Sequence, residues 1–229
     1  MVAPLIRLIA RTLLRHEWEW LRAELLRRHA DLLRDPARVP PVIAQRLLIS
    51  AEDRRHGRHA GFDPYAMSRA LWHRIALGRR EGASTIEQQI VRVLTNRFEP
   101  TLRRKAREIL LAALVAHLLP KSATPSLYLN VGYFGWRMSG FTRACRRLGL
   151  RSDTLCLEDA AGVVARLKYP EPSVAPRSRL SQIARRRGYL KALYGRHLSD
   201  GTYGHLGVRD ASEALPTRSH VAEPACASS

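Results

Sequence analysis

Apolar residues recur at helical spacing along most of this chain, whereas the alternating pattern of a half-buried strand is almost absent. Ser84 is followed three residues later by Glu87, a capping-box pattern that predicts a helix start at Ser84. We therefore expect a mainly α fold. The segments with a helical pattern are 42–50, 63–77, 84–95, 101–119, 157–167 and 179–194.

The N-terminal segment 5–33 combines leucines on one helical face with arginines on another. This pattern predicts one long or broken basic amphipathic helix. Such a helix either docks on its own domain or a partner, or lies on a membrane surface, and both alternatives stay open. Prolines then break the pattern and indicate a domain entrance. We expect a basic amphipathic helix over 1–38, the main domain over 39–197 and a disordered tail over 198–229.

The charge balance of the chain narrows the choice of partner. Lys and Arg number 39 against 20 acidic residues, which gives a net charge of +19. Such a field favours nucleic acid, anionic lipid headgroups or a diphosphate. The arginine clusters at 143–147 and 185–187 have few aromatic residues among them, and neither helix-turn-helix nor zinc spacing is present. We therefore predict no nucleic-acid partner.

The cysteines and the N-terminus carry weaker signals. The three cysteines lack metal-ligand spacing, so we predict no metal site, and a disulfide between Cys145 and Cys156 stays open. The apolar start, 1–14, is too short to span a bilayer and is interrupted by Arg7 and Arg11. It also lacks a clear small-residue cleavage site. We expect neither a transmembrane helix nor a clear signal peptide.

Five short motifs carry the chemistry. The first begins with two carboxylates followed by basic and imidazole groups, and the second is a glycine turn into a hydroxyl- and amide-rich helix start. Such groups are suited to an anionic sugar substrate. In this order, the motifs resemble those of the peptidoglycan glycosyltransferases of glycosyltransferase family 51. The motifs are SAEDRRHGRHAGFD at 50–63, GASTIEQQ at 82–89, RKARE at 104–108, LYLNVGYFG at 127–135 and AAGVVARLKYP at 160–170.

This resemblance implies a fold and an enzymatic activity. The fold would be a lysozyme-like helical domain with a small membrane-proximal jaw. The activity would be polymerisation of lipid II into β-1,4 glycan strands by inverting transfer from an undecaprenyl-diphosphate donor, by a monofunctional enzyme without a penicillin-binding domain. The alternative is a non-catalytic descendant that binds lipid II or glycan.

The implied partners are lipid II, the growing glycan strand, an anionic membrane surface and cell-wall synthesis proteins. The implied location is the bacterial cell envelope, peripheral on the outer face of the inner membrane. We expect no tightly bound cofactor, although Mg²⁺ or another divalent ion could bridge the diphosphate.

An inverting transfer needs one general base, and cations can replace a general acid when the leaving group is a diphosphate. Glu52 follows an apolar helix whose packing would raise its pKa, and the resemblance makes it the catalytic base. Glu108 opens another apolar run, with Arg104 and Lys105 one helical turn earlier. The resemblance gives Glu108 an essential catalytic role, with Arg104, Lys105 and Arg107 as its cationic partners at the diphosphate.

The second motif supplies further candidates for substrate binding. A helix start presents free N–H groups to anions, and amide side chains can bind sugar or phosphate oxygens. Arg92 stands where the resembled family has a lysine, and its guanidinium can fork onto phosphate. The predicted substrate-binding residues outside the third motif are Asp53, His59, Ser84, Gln88, Gln89, Arg92 and Asn130.

Several positions depart from the resembled family. His56 and Gly57 stand where two aromatic residues are usual. Glu87 replaces a threonine, so we expect it to place a negative charge at the anion site, where it either repels the donor, acts only as a helix cap or has a new role. A changed substrate preference, reduced activity or a binding-only role would each produce such departures. The remaining departures are Val93 for asparagine, Pro100 for arginine and Ala116 for glutamate.

Overall fold

The computed structural model describes residues 2–78 and 82–207 of the chain. Within these residues regular structure is almost entirely helical, with only isolated β-bridges besides. The predicted mainly α fold is confirmed. The α-helices are α1 Val2–Leu13, α2 Arg15–Arg34, α3 Val42–Glu52, α4 Pro64–Leu77, α5 Ile86–Leu94, α6 Leu102–Leu118, α7 Thr124–Val131, α8 Phe141–Arg147, α9 Leu157–Lys168 and α10 Arg177–Ser199.

A shared core lies between these helices because several of them are apolar on more than one face. Residues 47–49 of α3 and residues 111–115 of α6 are almost fully buried. Helix α6 packs against α1 and α5, while α9 packs against α3 and α10. Each fully buried leucine or isoleucine contributes about 1.5–3 kcal/mol to the stability of this core. The ends of α3, α5 and α6, which carry the first three motifs, are therefore held by well-packed helices.

Helix α5 begins one residue later than the capping pattern predicts. Thr85, not Ser84, is the N-cap, and its hydroxyl accepts from the Gln88 N–H at 3.3 Å. The same hydroxyl donates to the Gly61 carbonyl at 2.7 Å. Gly61 has φ +92°, and a Cβ there would lie 2.1 Å from the Ala112 carbonyl oxygen. Only glycine fits this contact, which joins the first motif, α5 and α6.

The N-terminal segment forms two helices that break at Leu14 rather than one continuous helix. Leu21 and Leu25 of α2 are fully buried in the core, and Trp18 is also buried. Arg7 of α1 contacts the His117 ring of α6 at 3.0 Å. Helix α2 is thus part of the domain core. The predicted domain boundary between residues 38 and 39 therefore does not separate the N-terminal helices from that core.

The C-terminal end departs from the prediction as well. Helix α10 continues to Ser199, and Tyr203 and Leu206 are buried in the core. The predicted disordered tail is therefore wrong for residues 198–207, because their aromatic and aliphatic side chains pack. The remainder of that prediction, 208–229, lies outside the described residues.

Two further expectations can be compared with the structure. Cys145 is a buried free thiol, so the disulfide with Cys156 that the sequence left open does not form. Among the described residues no single helix is long and apolar enough to cross a membrane. A pair bent by 111°, Leu102–Leu118 with Lys121–Val131, meets the criteria of length and composition together.

Candidate active site

Glu52 ends α3, and side chains from α5 and α10 lie beside its carboxylate. The side chain is 22% exposed, and its Oε2 accepts from Gln89 Nε2 of α5 at 2.9 Å. Arg186 of α10 places a guanidinium nitrogen 3.8 Å from Oε1 and donates to the Ala51 carbonyl at 2.9 Å. One oxygen of Glu52 is therefore fixed by an amide, while the other faces a more distant cation.

Tyr128 of α7 sets the orientation of that amide. Its hydroxyl donates to Gln89 Oε1 at 2.5 Å, so the amide nitrogen of Gln89 must face Glu52. Burial raises the pKa of Tyr128, which keeps the hydroxyl protonated and able to donate. Neither Tyr128 nor Arg186 was among the site residues predicted from the sequence. Tyr128 does lie in the fourth motif, which was the available signal.

The surroundings of Glu52 favour a basic carboxylate. Burial raises the pKa of Glu52, whereas the hydrogen bond from Gln89 and the charges of Arg186 and Lys168 lower it in part. The net direction is upward, as expected for a carboxyl group at the end of an apolar helix. A carboxylate with a raised pKa is a better proton acceptor.

Glu108 lies at the centre of a group of cations that we call the Glu108 cluster: Glu108, Arg92, Arg104 and Lys105. The Glu108 carboxylate is almost fully buried. It accepts two hydrogen bonds from the Arg92 guanidinium, with Nε–Oε1 at 2.7 Å and Nη2–Oε2 at 3.0 Å. Arg104 also bonds Oε1, and Lys105 Nζ lies 3.9 Å from Oε2. Three cations against one carboxylate leave two net positive charges in the cluster.

Lys105 connects this cluster to the second motif. Its Nζ donates to Ser84 Oγ at 2.9 Å and to Gln88 Oε1. Burial lowers the pKa of Lys105 to about 8; the Glu108 charge raises it and the neighbouring guanidinium groups lower it. The Gln88 side chain is fully buried, and within the described residues its Nε2 has no hydrogen-bond partner. The structure thus brings Ser84, Gln88 and Lys105 together.

Asp53 and His59 bind each other rather than facing a shared open surface. His59 Nε2 lies 3.0 Å from both carboxylate oxygens of Asp53, and the two side chains are almost fully buried. Asp53 Oδ2 also accepts from the Ile86 N–H at 3.1 Å. Together with the Thr85 cap, this contact uses N–H groups at the start of α5. The N–H groups of Ile86 and Gln88 are therefore not free to bind an anion.

Two other predicted binding residues lie apart from the site. Arg107 pairs with Glu17 of α2, so it is not a partner of Glu108, because it projects from a different face of α6. Asn130 Nδ2 donates to the Arg38 carbonyl at 3.1 Å and to the Ser126 carbonyl at 2.9 Å. It lines a second cavity, next to α2 and α8, that does not include Glu52.

Glu87 does not face the anion site, so that expectation is also wrong. Its side chain is fully buried, pairs with Lys121 and lies 3.5 Å from the His56 ring. Burial alone would raise the pKa of Glu87, but the His56 contact and the Lys121 charge bring it down to about 2. The carboxylate is consequently an internal partner for cationic and imidazole groups.

One group of described residues has potential metal ligands close together. Single ligand atoms of Asp53, His59 and Glu87 lie within 4.8 Å of one another. However, Lys121 Nζ contacts Glu87 and lies 3.4 Å from His59 Nδ1. The Lys121 ammonium group already supplies positive charge at this position. The Asp53 carboxylate accepts a hydrogen bond from the Ile86 backbone N–H. These contacts favour a polar structural network over a metal centre.

A cavity of about 800 Å³ opens beside Glu52. It extends to the loop 82–85 before α5 and to residues 200–205 after α10, and charged side chains form much of its wall. Arg55 is paired with Asp63 at 2.7 Å, and Arg54 with Asp200 at 3.2 Å. This volume is suited to a large polar ligand, because charged side chains of both signs line it, with Glu52, Asp53, Asp63 and Asp200 facing it besides the arginines. The arginines that line the cavity are Arg54, Arg55, Arg58 and Arg69.

Comparison with known proteins identifies the family. A family model described as Transglycosylase matches residues 22–193, most of the chain and all five motifs. The chain belongs to the transglycosylase family. Its fold is the mainly α, lysozyme-like transglycosylase domain, as the motifs predicted.

Curated relatives agree with this membership. Penicillin-binding protein 1A of Escherichia coli (strain K12) is 34% identical over 152 residues, which cover 64% of this chain and 18% of the relative. The Haemophilus influenzae protein of the same name is 36% identical over 58% of this chain and 16% of its own length. The Rickettsia bellii protein is 31% identical over 76% and 22%. The chain thus spans less than a quarter of the length of these relatives.

Proposed function

We propose that this protein is a peptidoglycan glycosyltransferase that polymerises lipid II into β-1,4 glycan strands. One observation carries the proposal: α5 joins a basic carboxylate, Glu52, to a cluster with two surplus positive charges. Gln89 of α5 bonds Glu52, and Arg92 of the same helix forks onto Glu108. A proton acceptor and a cationic site on one rigid element are what inverting transfer from a diphosphate donor requires.

In this mechanism Glu52 acts on the acceptor sugar. The acceptor hydroxyl oxygen forms a bond to the anomeric carbon of the donor, and its proton passes to the Glu52 carboxylate. The bond between that carbon and the diphosphate oxygen breaks, and its electron pair leaves with undecaprenyl diphosphate. Attack from the side opposite the leaving group converts the α-linkage of the donor into a β-linkage. The Gln89 amide holds one Glu52 oxygen in place during this transfer.

The Glu108 cluster would stabilise the diphosphate. Its surplus of two positive charges complements the negative charge that builds on the leaving group. Glu108 itself is too buried and too fully paired to act on a sugar hydroxyl. Its role is to hold Arg92, Arg104 and Lys105 close together despite their mutual repulsion. The substrate-binding roles of Ser84 and Gln88 then act mainly through Lys105.

A divalent ion such as Mg²⁺ would enter with the diphosphate rather than occupy a protein cage. We propose that the partners are lipid II and the growing strand, and that cell-wall synthesis proteins recruit or assist the enzyme. The proposed location is the outer face of the inner membrane, where lipid II headgroups would be reached.

The membrane contact would use α1 rather than the whole N-terminal segment. Leu5, Leu8 and Leu13 of α1 are more than half exposed, whereas the apolar face of α2 is buried in the core. Arg7 and Arg11 lie on the same helix, and each basic residue near an anionic surface contributes about 1 kcal/mol. Exposed apolar residues on α4, including Trp72 and Ile75, offer a second contact.

Co-sedimentation with vesicles of phosphatidylglycerol and phosphatidylcholine tests this contact. The double variant Leu8→Glu/Leu13→Glu should lose most binding, and Trp72→Glu/Ile75→Glu provides the matched comparison on α4. Undiminished binding by the α1 variant would show that α1 is not the membrane contact.

The proposed activity is tested by incubating the purified chain with lipid II, with and without Mg²⁺, and separating the products by size. Glycan polymer is the expected product. Tight lipid II binding without polymer would contradict catalysis and favour the non-catalytic binder instead.

A further inference from the structure

The C-terminal turn, residues 200–206, packs against the segment that carries Glu52. The Tyr203 hydroxyl lies 2.5 Å from Ser50 Oγ, and His197 Nδ1 lies 2.9 Å from the same oxygen. Ser50, Tyr203 and His197 are all buried. Ser50 precedes Glu52 by half a helical turn, so the turn contacts the last turn of α3.

His205 of this turn contacts the first motif directly. Its Nε2 lies 2.8 Å from Nδ1 of the fully buried His56, whose Nε2 lies 2.8 Å from Thr124 Oγ1. A Cβ on Gly57 would lie 2.8 Å from His205 Nδ1, so a larger residue at position 57 would displace the His205 ring. The His56 ring is thus hydrogen-bonded to the His205 ring, and the absence of a side chain at Gly57 leaves room for the His205 ring.

Three departures from the resembled family therefore meet at one contact. His56 and Gly57 stand in place of two aromatic residues, and Glu87, in place of threonine, lies 3.5 Å from His56. Lys121 completes the network by pairing with Glu87. The family match ends at residue 193, before His205. A polar contact from the C-terminus thus occupies the region where the family pattern has an aromatic pair.

The same turn also forms part of the active-site wall. The cavity beside Glu52 is lined by Gly201, Thr202 and His205, and Asp200 pairs with Arg54 at its edge. The turn is consequently attached on one side to side chains of the first motif and open on the other side to the cavity.

We propose that residues 200–206 are a fixed wall of the active site and that His205 is a positioning residue. His205 acts through His56 on the loop that follows Glu52 and contains Asp53, and it replaces the packing of the usual aromatic pair. This inference rests on the proposed function, because its consequence is the correct placement of Glu52 for proton transfer. Small displacements of a catalytic group have large kinetic effects, up to about a hundredfold for 1 Å.

A double-mutant cycle on the full-length chain tests the proposal. The variants are His205→Ala, His56→Phe and the double variant, with kcat and KM for lipid II polymerisation measured for each. We expect His205→Ala to lower kcat about tenfold with little change in KM, and to have almost no further effect once His56 is phenylalanine. His205→Gln, which keeps a polar group at this distance, should recover most of kcat.

The control is Leu198→Ala, an exposed residue at the end of α10 that should leave kcat unchanged. All variants are measured at a temperature where circular dichroism shows them folded. Wild-type kcat in His205→Ala, or losses that simply multiply in the double variant, would overturn the positioning role. A wild-type chain that makes no polymer would instead overturn the proposed function, so the two failures are distinguishable.

Discussion

Replacing Lys105 with arginine should abolish the fall in kcat/KM that we expect above pH 8. Burial lowers the pKa of Lys105 to about 8, so at pH 9 only about one tenth of the molecules keep this charge. Without it the Glu108 cluster has one surplus positive charge instead of two. We therefore expect kcat/KM to fall about tenfold per pH unit above pH 8 in the wild type. Arginine stays protonated throughout this range.

The measurement is the initial rate of lipid II polymerisation at subsaturating substrate, between pH 6 and pH 10 at constant ionic strength. Subsaturating substrate is essential because kcat/KM reports the free enzyme, and a bound diphosphate would raise the pKa of Lys105. Lys105→Arg should keep its rate within a few-fold of the wild type at pH 7 and stay flat to pH 10. Lys191→Arg, remote on α10, should show the same fall in kcat/KM above pH 8 as the wild type. The same fall in Lys105→Arg would show that another group titrates in this range.

Two further substitutions and a change of pH test the roles of charged and titratable groups. Arg104→Ala should weaken lipid II binding and reduce its salt dependence; equal affinity and salt slope would show that Arg104 serves only the helix surface. Glu87→Thr should lower the free energy of unfolding by about 1–3 kcal/mol, because it leaves buried partners unpaired, and urea denaturation measures this; a gain in activity would contradict the internal role of Glu87. Burial lowers the pKa of His205 below its ordinary value of 6.5, so its protonation opposes folding, and the free energy of unfolding should fall as the pH drops below 6.5. In His205→Gln this part of the pH dependence should disappear.

The helices were predictable from the sequence because their apolar residues repeat at helical spacing, and the Glu108 cluster was largely predictable because Arg104 and Lys105 lie one turn from Glu108. The start of α5 was misplaced by one residue. Ser84 and Thr85 are adjacent hydroxyls, and the choice between them depends on the Gly61 carbonyl, which is distant in sequence.

Contacts between distant segments were not predictable in this way. Tyr128 and Arg186 reach Glu52 or its amide partner from α7 and α10. Tyr128 lies in the fourth motif, but no local pattern predicts which residue either side chain contacts. The composition after residue 197 predicted disorder. Tyr203 and His205 are nevertheless ordered, because they contact the buried Ser50 and His56 of the first motif. Local motifs thus locate the carboxylates, whereas tertiary packing decides which side chains orient them.

Glu52→Gln tests most directly whether Glu52 is the general base. The change is nearly isosteric, and the new amide oxygen can still accept from Gln89, so lipid II binding and the melting temperature should stay close to wild type. Polymerisation should fall on the order of a hundredfold or more, because only the basicity is removed. Glu19→Gln, an exposed change on α2, serves as the control. Turnover by Glu52→Gln at the wild-type rate would show that Glu52 is not the general base.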